Sequence, residues 1–177
     1  MSREIEAKIK VAALEPIADK LKQLGANFLH DVQQVDTHFM DAASQLRKSD
    51  CALRIRQQVI GNESSAFMTF KGPRSDSKFK ARPEYETGVA NAETAQTIFE
   101  SLGYRKAIVV EKKRSMWSLD DCEVCLDELP HLGCFVEVEG PSEEVITGVL
   151  EKLNLHNEPP ISNGYAAMIS RKRRQEE

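Results

Sequence analysis

The chain has 177 residues and a near balance of charge, with 24 Lys and Arg against 28 Asp and Glu and a formal net charge of -4. It lacks the basic excess typical of nucleic-acid-binding proteins, and its apolar stretches are too short for a membrane-spanning helix or a signal peptide. We therefore expect one domain over residues 1–177, a core drawn from the 41% of apolar residues, neither nucleic acid nor membrane as partner, and a cytoplasmic location.

Alternation of apolar and polar residues predicts a chain made mostly of strands. Eight candidate strands lie near residues 3–11, 28–40, 51–60, 65–71, 82–89, 105–116, 117–127 and 133–139. Four amphipathic helices are predicted over about residues 14–24, 91–103, 142–153 and 163–172. A short basic tail is expected over about residues 171–177.

Charged side chains recur at every second position in several of these strands, and residues two apart share one face of a strand. Such sets are Glu4, Glu6 and Lys8; Arg54 and Arg56; Glu84 and Glu86; Lys112 and Arg114; and Glu137 and Glu139, with Lys71 and Asp127 at strand ends. One interpretation is an ordinary antiparallel sheet with a solvated outer face. The other is a sheet curled around its charged faces, because the amphipathic helices need the apolar strand faces as packing partners.

A charged interior would hold many like charges at close range, which is costly unless opposite charges, metal ions and an anionic ligand balance them. The basic set offers donors for phosphate oxygens, which arginine can bind bidentately. The acidic set offers hard oxygen ligands of the kind that Mg²⁺ or Mn²⁺ takes alongside substrate phosphates. Together the two sets indicate a polyphosphate bound with a divalent metal ion.

The segment Glu4-Ile5-Glu6-Ala7-Lys8 resembles the E-x-E-x-K signature of the CYTH superfamily of triphosphate tunnel enzymes, which includes class IV adenylate cyclases and thiamine triphosphatases. Further segments follow the order of that family: Leu53-Arg54-Ile55-Arg56, Thr69-Phe70-Lys71-Gly72-Pro73, Arg82-Pro83-Glu84-Tyr85-Glu86, Glu111-Lys112-Lys113-Arg114, Leu126-Asp127-Glu128-Leu129-Pro130 and Gly133-Cys134-Phe135-Val136-Glu137-Val138-Glu139. The resemblance spans about residues 2–170 and looks nearest to the small bacterial cyclases of the CyaB type.

The resemblance implies a closed antiparallel barrel of about eight strands, with helices packed outside and a charged lumen that binds a triphosphate. Its implied phosphate-binding residues are Lys8, Arg54, Arg56, Lys71, Lys112 and Arg114, of which Lys112 and Arg114 would also serve catalysis. Its implied ligands of Mg²⁺ or Mn²⁺ are Glu4, Glu6, Asp127, Glu137 and Glu139. The acidic pair Glu84 and Glu86 belongs to the same motifs, but neither residue receives a role.

Three functions are compatible with these residues. The first is an adenylate cyclase that converts ATP into cyclic AMP and pyrophosphate, which the likeness to the CyaB type favours. The second is a hydrolase of inorganic or thiamine triphosphate, which would need the same phosphate-binding residues. The third is a polyphosphate-binding module without catalysis, and a homodimer is a possible assembly for any of them. We also expect that removing Glu6 or Glu137 would leave the metal-free fold as stable as before or more so, by relieving repulsion between carboxylates.

Overall fold

Strand β1 closes the sheet, because its first half pairs with one neighbour and its second half with another. The structure is a computed structural model that describes residues 2–75 and 79–176, and the side chains of residues 2–4 lie outside this description. Its elements in chain order are β1 (Ser2–Val11), α1 (Glu15–Gln23), β2 (Asn27–Asp41), α2 (Gln45–Lys48), β3 (Ala52–Ile60), β4 (Glu63–Lys71), β5 (Lys80–Gly88), α3 (Ala92–Ser101), β6 (Tyr104–Leu119), β7 (Cys122–Leu129), β8 (Gly133–Glu139), α4 (Glu143–Lys152) and α5 (Tyr165–Glu176).

The strands form a closed antiparallel barrel in the order β1-β5-β4-β3-β2-β6-β7-β8. Glu6 marks the crossing point of β1, since it is paired with Lys80 of β5 on one side and with Glu139 of β8 on the other. Closure leaves no free sheet edge in this ring and separates an inner face from an outer one. The fold predicted from the sequence, a closed eight-stranded antiparallel barrel with helices outside, is confirmed.

The helices cover the apolar outer face of the barrel. Helices α1 and α4 pack Leu21, Ile146 and Val149 against buried side chains of β1, β7 and β8. Helix α3 places Phe99 edge-on to Phe39 of β2, with ring centroids 5.1 Å apart. Burial of the outer strand faces under helices leaves the charged faces to line the interior, as the second interpretation of the charge pattern required.

The local sequence explains where two of these helices begin. Asn91 precedes α3 and its side chain accepts a hydrogen bond from the backbone N–H of Thr94 at 2.7 Å. Ser142 precedes α4 and accepts from the N–H of Val145 at 3.3 Å. Both caps satisfy a donor that the first turn of a helix otherwise leaves without a partner.

The largest differences from the predicted boundaries lie between β6 and β7 and at the end of α5. The break expected after residue 116 is wrong, because β6 continues through Trp117 to Leu119 and the turn falls at Asp120, whose φ is +53°. Adjacent aspartates tolerate such turn geometry, whereas the alternation of Met116 to Leu119 continues the strand. At the carboxyl end, α5 extends to Glu176, so the described part of the basic segment, residues 171–176, is helical. No helix in the described part of the chain is long and apolar enough to cross a membrane.

Candidate active site

A cavity of about 1070 Å³ lies inside the barrel, and every strand contributes to its wall. That volume is at the upper end of the range of small-molecule pockets. Eleven of the residues singled out in the sequence line it: Glu6, Lys8, Arg54, Arg56, Lys71, Glu84, Glu86, Lys112, Arg114, Glu137 and Glu139. The side chain of Glu4 lies outside the described residues, and Asp127 is buried behind the wall with no exposed surface.

Asp36 of β2 holds the two arginines of β3 in place. Its carboxylate accepts two hydrogen bonds from Arg56, at 2.7 and 2.8 Å, and one from Arg54 at 3.0 Å. Burial alone would raise the pKa of Asp36, but the hydrogen bond from Arg56 and the charge of Arg54 outweigh it and lower that pKa. The carboxylate therefore stays ionised and orients both guanidinium groups toward the cavity.

The acidic pair of β5 orients cations from neighbouring strands. Glu84 contacts Lys71 at 2.7 Å and Arg54 at 3.8 Å, and Glu86 lies 3.8 Å from the same guanidinium. The hydroxyl of Thr69 donates to Glu86 at 2.7 Å and accepts from Nε of Arg54 at 3.3 Å. These contacts give the pair a structural task, which is to fix the positions of Arg54 and Lys71.

Asp127 lies beneath Arg114 and not in the cavity. Its two oxygens accept hydrogen bonds from Nε and Nη2 of Arg114, both at 2.6 Å, and the hydroxyl of Tyr165 donates to it at 2.7 Å. Lys112 is 3.7 Å away. Because these oxygens are buried and already engaged, the geometry supports a positioning contact to Arg114 in place of the metal-ligand role that the resemblance implies.

Glu137 of β8 joins a cation of β1 and a cation of β6. It contacts Lys8 at 3.1 Å and also accepts a hydrogen bond from Arg114. Burial would raise the pKa of Glu137, but the charges of Lys8 and Arg114 lower it well below its ordinary value. Burial would likewise lower the pKa of Lys8, yet the carboxylates of Glu137 and Glu6 raise it. Glu6 in turn accepts a hydrogen bond from Lys80, so these carboxylates face cations and not one another.

Lys112 is the cation of the site that is closest to losing its proton. Only 6% of its surface is exposed, and burial together with the charge of Arg114 lowers its pKa to about 8. Its ammonium lies 5.3 Å from the ring centroid of Tyr165. A bound phosphate beside Lys112 would favour the charged form of this lysine.

The acidic residues have the right chemistry for a hard divalent cation, although they are not gathered around one. Glu139 is the register partner of both Glu6 and Glu123, and Glu137 lies two residues before it on the same strand. Carboxylate oxygens of this kind suit Mg²⁺ or Mn²⁺. Within residues 2–75 and 79–176, however, no group of three or more His, Cys, Asp or Glu side chains is arranged to hold a metal ion. Glu6 and Glu137 would have to exchange their lysine and arginine partners for it.

Several residues of the site were missed by reasoning from the sequence. Asp36 lies two residues from His38 on the inner face of β2, and Lys80 lies two residues before Arg82 on β5. The alternation rule could have found both. Tyr165 could not be found this way, because it comes from the first turn of α5 and reaches the barrel only through the tertiary fold.

A family model described as CYTH domain matches residues 2–164, which is most of the chain. The chain belongs to the CYTH domain family. The matched residues include all eight strands of the barrel and end just before α5. The resemblance found in the sequence motifs is therefore confirmed.

Two named relatives and a solved structure are similar to this chain. The chain is 29% identical over 171 residues to a Methanocaldococcus jannaschii protein named "Putative adenylate cyclase MJ0240", covering 92% of this chain and 95% of that one. It is 26% identical over 136 residues to "Adenylate cyclase CyaB" of Aeromonas hydrophila, covering 76% and 67% respectively. The solved structure of the PH1819 protein from Pyrococcus horikoshii OT3 has the same fold, with a TM-score of 0.85, 24% identity and coverage of 96% of this chain and 99% of that one.

Proposed function

We propose that the protein is a divalent-metal-dependent enzyme that binds ATP in the barrel cavity and converts it into cyclic AMP and pyrophosphate. The observation that carries this proposal is the convergence of six cations on one cavity: Lys8, Arg54, Arg56, Lys71, Lys112 and Arg114. A triphosphate is the common ligand whose charge and length match such a set. The adenylate cyclase names of the two relatives support the choice of ATP and of cyclisation.

The arginines keep donors available for phosphate after pairing with carboxylates. A guanidinium has five N–H donors, and Arg56 uses Nε and Nη2 on Asp36. Arg114 uses the same two nitrogens on Asp127 and leaves Nη1 without a carboxylate partner among the described residues. Each guanidinium is thus fixed on one edge and can bind phosphate oxygens with the other, which is the preorganised arrangement that stabilises developing charge.

The catalytic roles follow from position. Lys112 and Arg114 are adjacent inward residues of β6, and we assign them to the phosphate group from which pyrophosphate leaves. Their positive charges would stabilise the negative charge that builds on the bridging oxygen as that bond breaks. Glu6, Glu137 and Glu139 are the proposed ligands of Mg²⁺ or Mn²⁺, which supplies Lewis acidity beside the reacting phosphate when bound. Glu4 remains a predicted ligand that lies outside the described side chains.

The proposal is tested by incubating the purified protein with ATP, inorganic triphosphate and thiamine triphosphate, each with Mg²⁺ or Mn²⁺, and resolving all products. Cyclic AMP and pyrophosphate are expected from ATP. Orthophosphate as the sole product, or faster turnover of inorganic triphosphate than of ATP, would reject cyclisation in favour of a hydrolase. Tight triphosphate binding without turnover under either metal would identify a binding module. The homodimer and the cytoplasmic location stay predictions.

A matched pair of variants tests the assignment of Lys112. Lys112→Ala should weaken ATP binding and lower kcat more strongly, because the additional charge on the bridging oxygen builds only in the transition state. Lys113→Ala removes the next lysine of the same strand, which is exposed on the outer face, and should leave both constants unchanged. Equal effects of the two variants would contradict the assignment.

A further inference from the structure

Two glutamines face each other across β2 and β3 inside the cavity. Gln34 and Gln58 are register partners, and Nε2 of Gln34 donates to Oε1 of Gln58 at 3.1 Å. Gln34 is only 4% exposed. Its own Oε1 is buried and has no hydrogen-bond partner among the residues that the structure describes. A buried carbonyl oxygen without a donor carries a desolvation cost, so this atom indicates a ligand.

The donors and acceptors left over define the chemistry of that ligand. One hydrogen bond between two primary amides consumes one donor and one acceptor, and it leaves here the carbonyl oxygen of Gln34 and the amino group of Gln58. Phosphate oxygens accept hydrogen bonds and cannot satisfy the carbonyl. The complement is a neutral group with a donor beside an acceptor. The adenine edge, with its exocyclic amine next to a ring nitrogen, has this pair, and glutamine is a common partner of it.

Along β3 the cavity wall loses its charge at the amide pair, while Lys112 of β6, the cation assigned to the phosphate nearest the nucleoside, is the register partner of Gln34. Gln58 is the next inward residue after Arg56 on β3, so it lies about 7 Å further along the strand from the phosphate-binding arginines. Beyond it the wall is contributed by Ile60, and β6 contributes Met116 on the neighbouring side. Along β3 the cavity wall thus changes from the guanidinium of Arg56 to the amide of Gln58 and the apolar side chain of Ile60. The guanidinium suits the phosphates of a nucleotide, and the amide and the apolar side chain suit its base.

We propose that Gln34 and Gln58 bind the base of an adenine nucleotide and make the site selective for nucleoside triphosphates over inorganic triphosphate. This inference rests on the proposed function, since it assumes that the arginines hold the phosphates. The amide of Gln34 accepts from the exocyclic amine of the base, and the amino group of Gln58 donates to the adjacent ring nitrogen. The preference for nucleoside triphosphates over inorganic triphosphate then comes from contacts to the base, because both ligands make the same contacts through their phosphates.

Binding measurements on two unreactive ligands test this. The first is an ATP analogue with methylene groups in place of both bridging phosphate oxygens, and the second is the matching inorganic bis-methylene triphosphate, each measured by calorimetry with Mg²⁺. Gln34→Leu and Gln58→Leu should each weaken binding of the nucleotide about tenfold and change binding of the inorganic ligand by less than about twofold. Gln33→Leu and Gln57→Leu, exposed outer-face neighbours on the same strands, are the controls and should change neither.

Equal effects on both ligands, or no effect on the nucleotide, would overturn the inference. A second measurement on the unaltered protein does not depend on how the variants fold. The same analogue built on purine riboside, which lacks the exocyclic amine, should bind about tenfold more weakly than the adenine analogue, and equal affinity would also overturn it. If the unaltered protein binds inorganic triphosphate as tightly as the nucleotide, only base recognition fails. If it binds neither ligand, the proposed function fails as well.

Discussion

Replacing Asp127 with asparagine should destabilise the protein strongly, although the change is nearly isosteric. The carboxylate has no exposed surface and accepts hydrogen bonds from Arg114 and from Tyr165. Arg114 donates to it through two nitrogens, and Lys112 lies within 3.7 Å. Asparagine would keep the shape but remove the negative charge, and its amide NH₂ would face a guanidinium that needs an acceptor.

The size of the effect follows from burial of the ion pair. Removing one partner of a buried pair costs about 3–5 kcal/mol because an uncompensated charge remains. A domain of this length loses about 2–4 °C of Tm per kcal/mol, so Asp127→Asn should lower Tm by roughly 6–20 °C. Asp120→Asn is the matched control, since Asp120 pairs with Lys152 at 2.9 Å with both side chains more than two-fifths exposed. Such surface pairs contribute about 0–1 kcal/mol.

Urea and thermal unfolding of the metal-free protein measure both variants. Inorganic triphosphate should stabilise Asp127→Asn more than it stabilises the unaltered protein, because the ligand supplies the negative charge that Arg114 has lost. An Asp127→Asn protein within about 1 kcal/mol of the unaltered one would refute the ion-pair explanation. Loss of metal binding without loss of stability would instead restore Asp127 as a metal ligand, the role implied by the resemblance.

Three further predictions concern the charge of the cavity. Glu137→Ala should abolish metal-dependent turnover. It should also lower the free energy of unfolding by about 3 kcal/mol or more, because Lys8 and Arg114 lose their shared carboxylate. A variant as stable as the unaltered protein would show that repulsion between carboxylates dominates. The affinity for inorganic triphosphate, measured by calorimetry, should fall as pH rises above about 8, because Lys112 then loses its proton. Lys112→Arg should remove this decline, since arginine stays charged. An affinity of the unaltered protein that does not change with pH would contradict the assignment of Lys112 to phosphate binding. Burial, with the charges of Arg54 and Arg56, lowers the pKa of His38 to about 4. The unfolded chain therefore binds a proton on His38 at a higher pH than the folded protein does. The free energy of unfolding should fall as pH drops from about 6.5 toward 4. In urea titrations at about pH 6.5 and about pH 4, His38→Gln should show a smaller fall of the free energy of unfolding between the two pH values. An unchanged fall would count against the burial of a neutral imidazole.

The expectation about Glu6 and Glu137 illustrates what the sequence leaves open. Alternation placed both carboxylates on inner strand faces, and the structure agrees. Repulsion between them was a reasonable inference from a set of acidic residues at similar depth. The barrel instead sets Lys8, Lys80 and Arg114 against them, so removal of Glu137 exposes cations to one another and the ion pairs favour a loss of stability, where repulsion between carboxylates favours no change or a gain.

A two-residue period therefore predicts which face of a strand a side chain occupies, but not its partner on the neighbouring strand. Inward residues of β3 and β6 could be identified because each strand obeys the period by itself. The partner of an inward residue depends on the register and tilt of the closed sheet, which bring Asp36 opposite Arg56 and Glu137 opposite Lys8. The pairing of Glu137 with Lys8 joins the first and last strands of the chain, and no local pattern encodes it.

The pairing inside the cavity also bears on the proposed function, in which one site holds both a triphosphate and a metal ion. Among the described side chains, Glu137 pairs with Lys8 and Arg114, and Glu6 pairs with Lys80. A triphosphate alone would draw the cations away from their carboxylate partners and leave these carboxylates beside phosphate oxygens. A metal ion alone would take the carboxylates as ligands and leave the cations without an acceptor. A triphosphate that carries its own divalent cation offers a partner to both halves of each pair at once, so no charge is left buried without compensation. If the proposed function holds, these ion pairs favour entry of the complex over entry of either component.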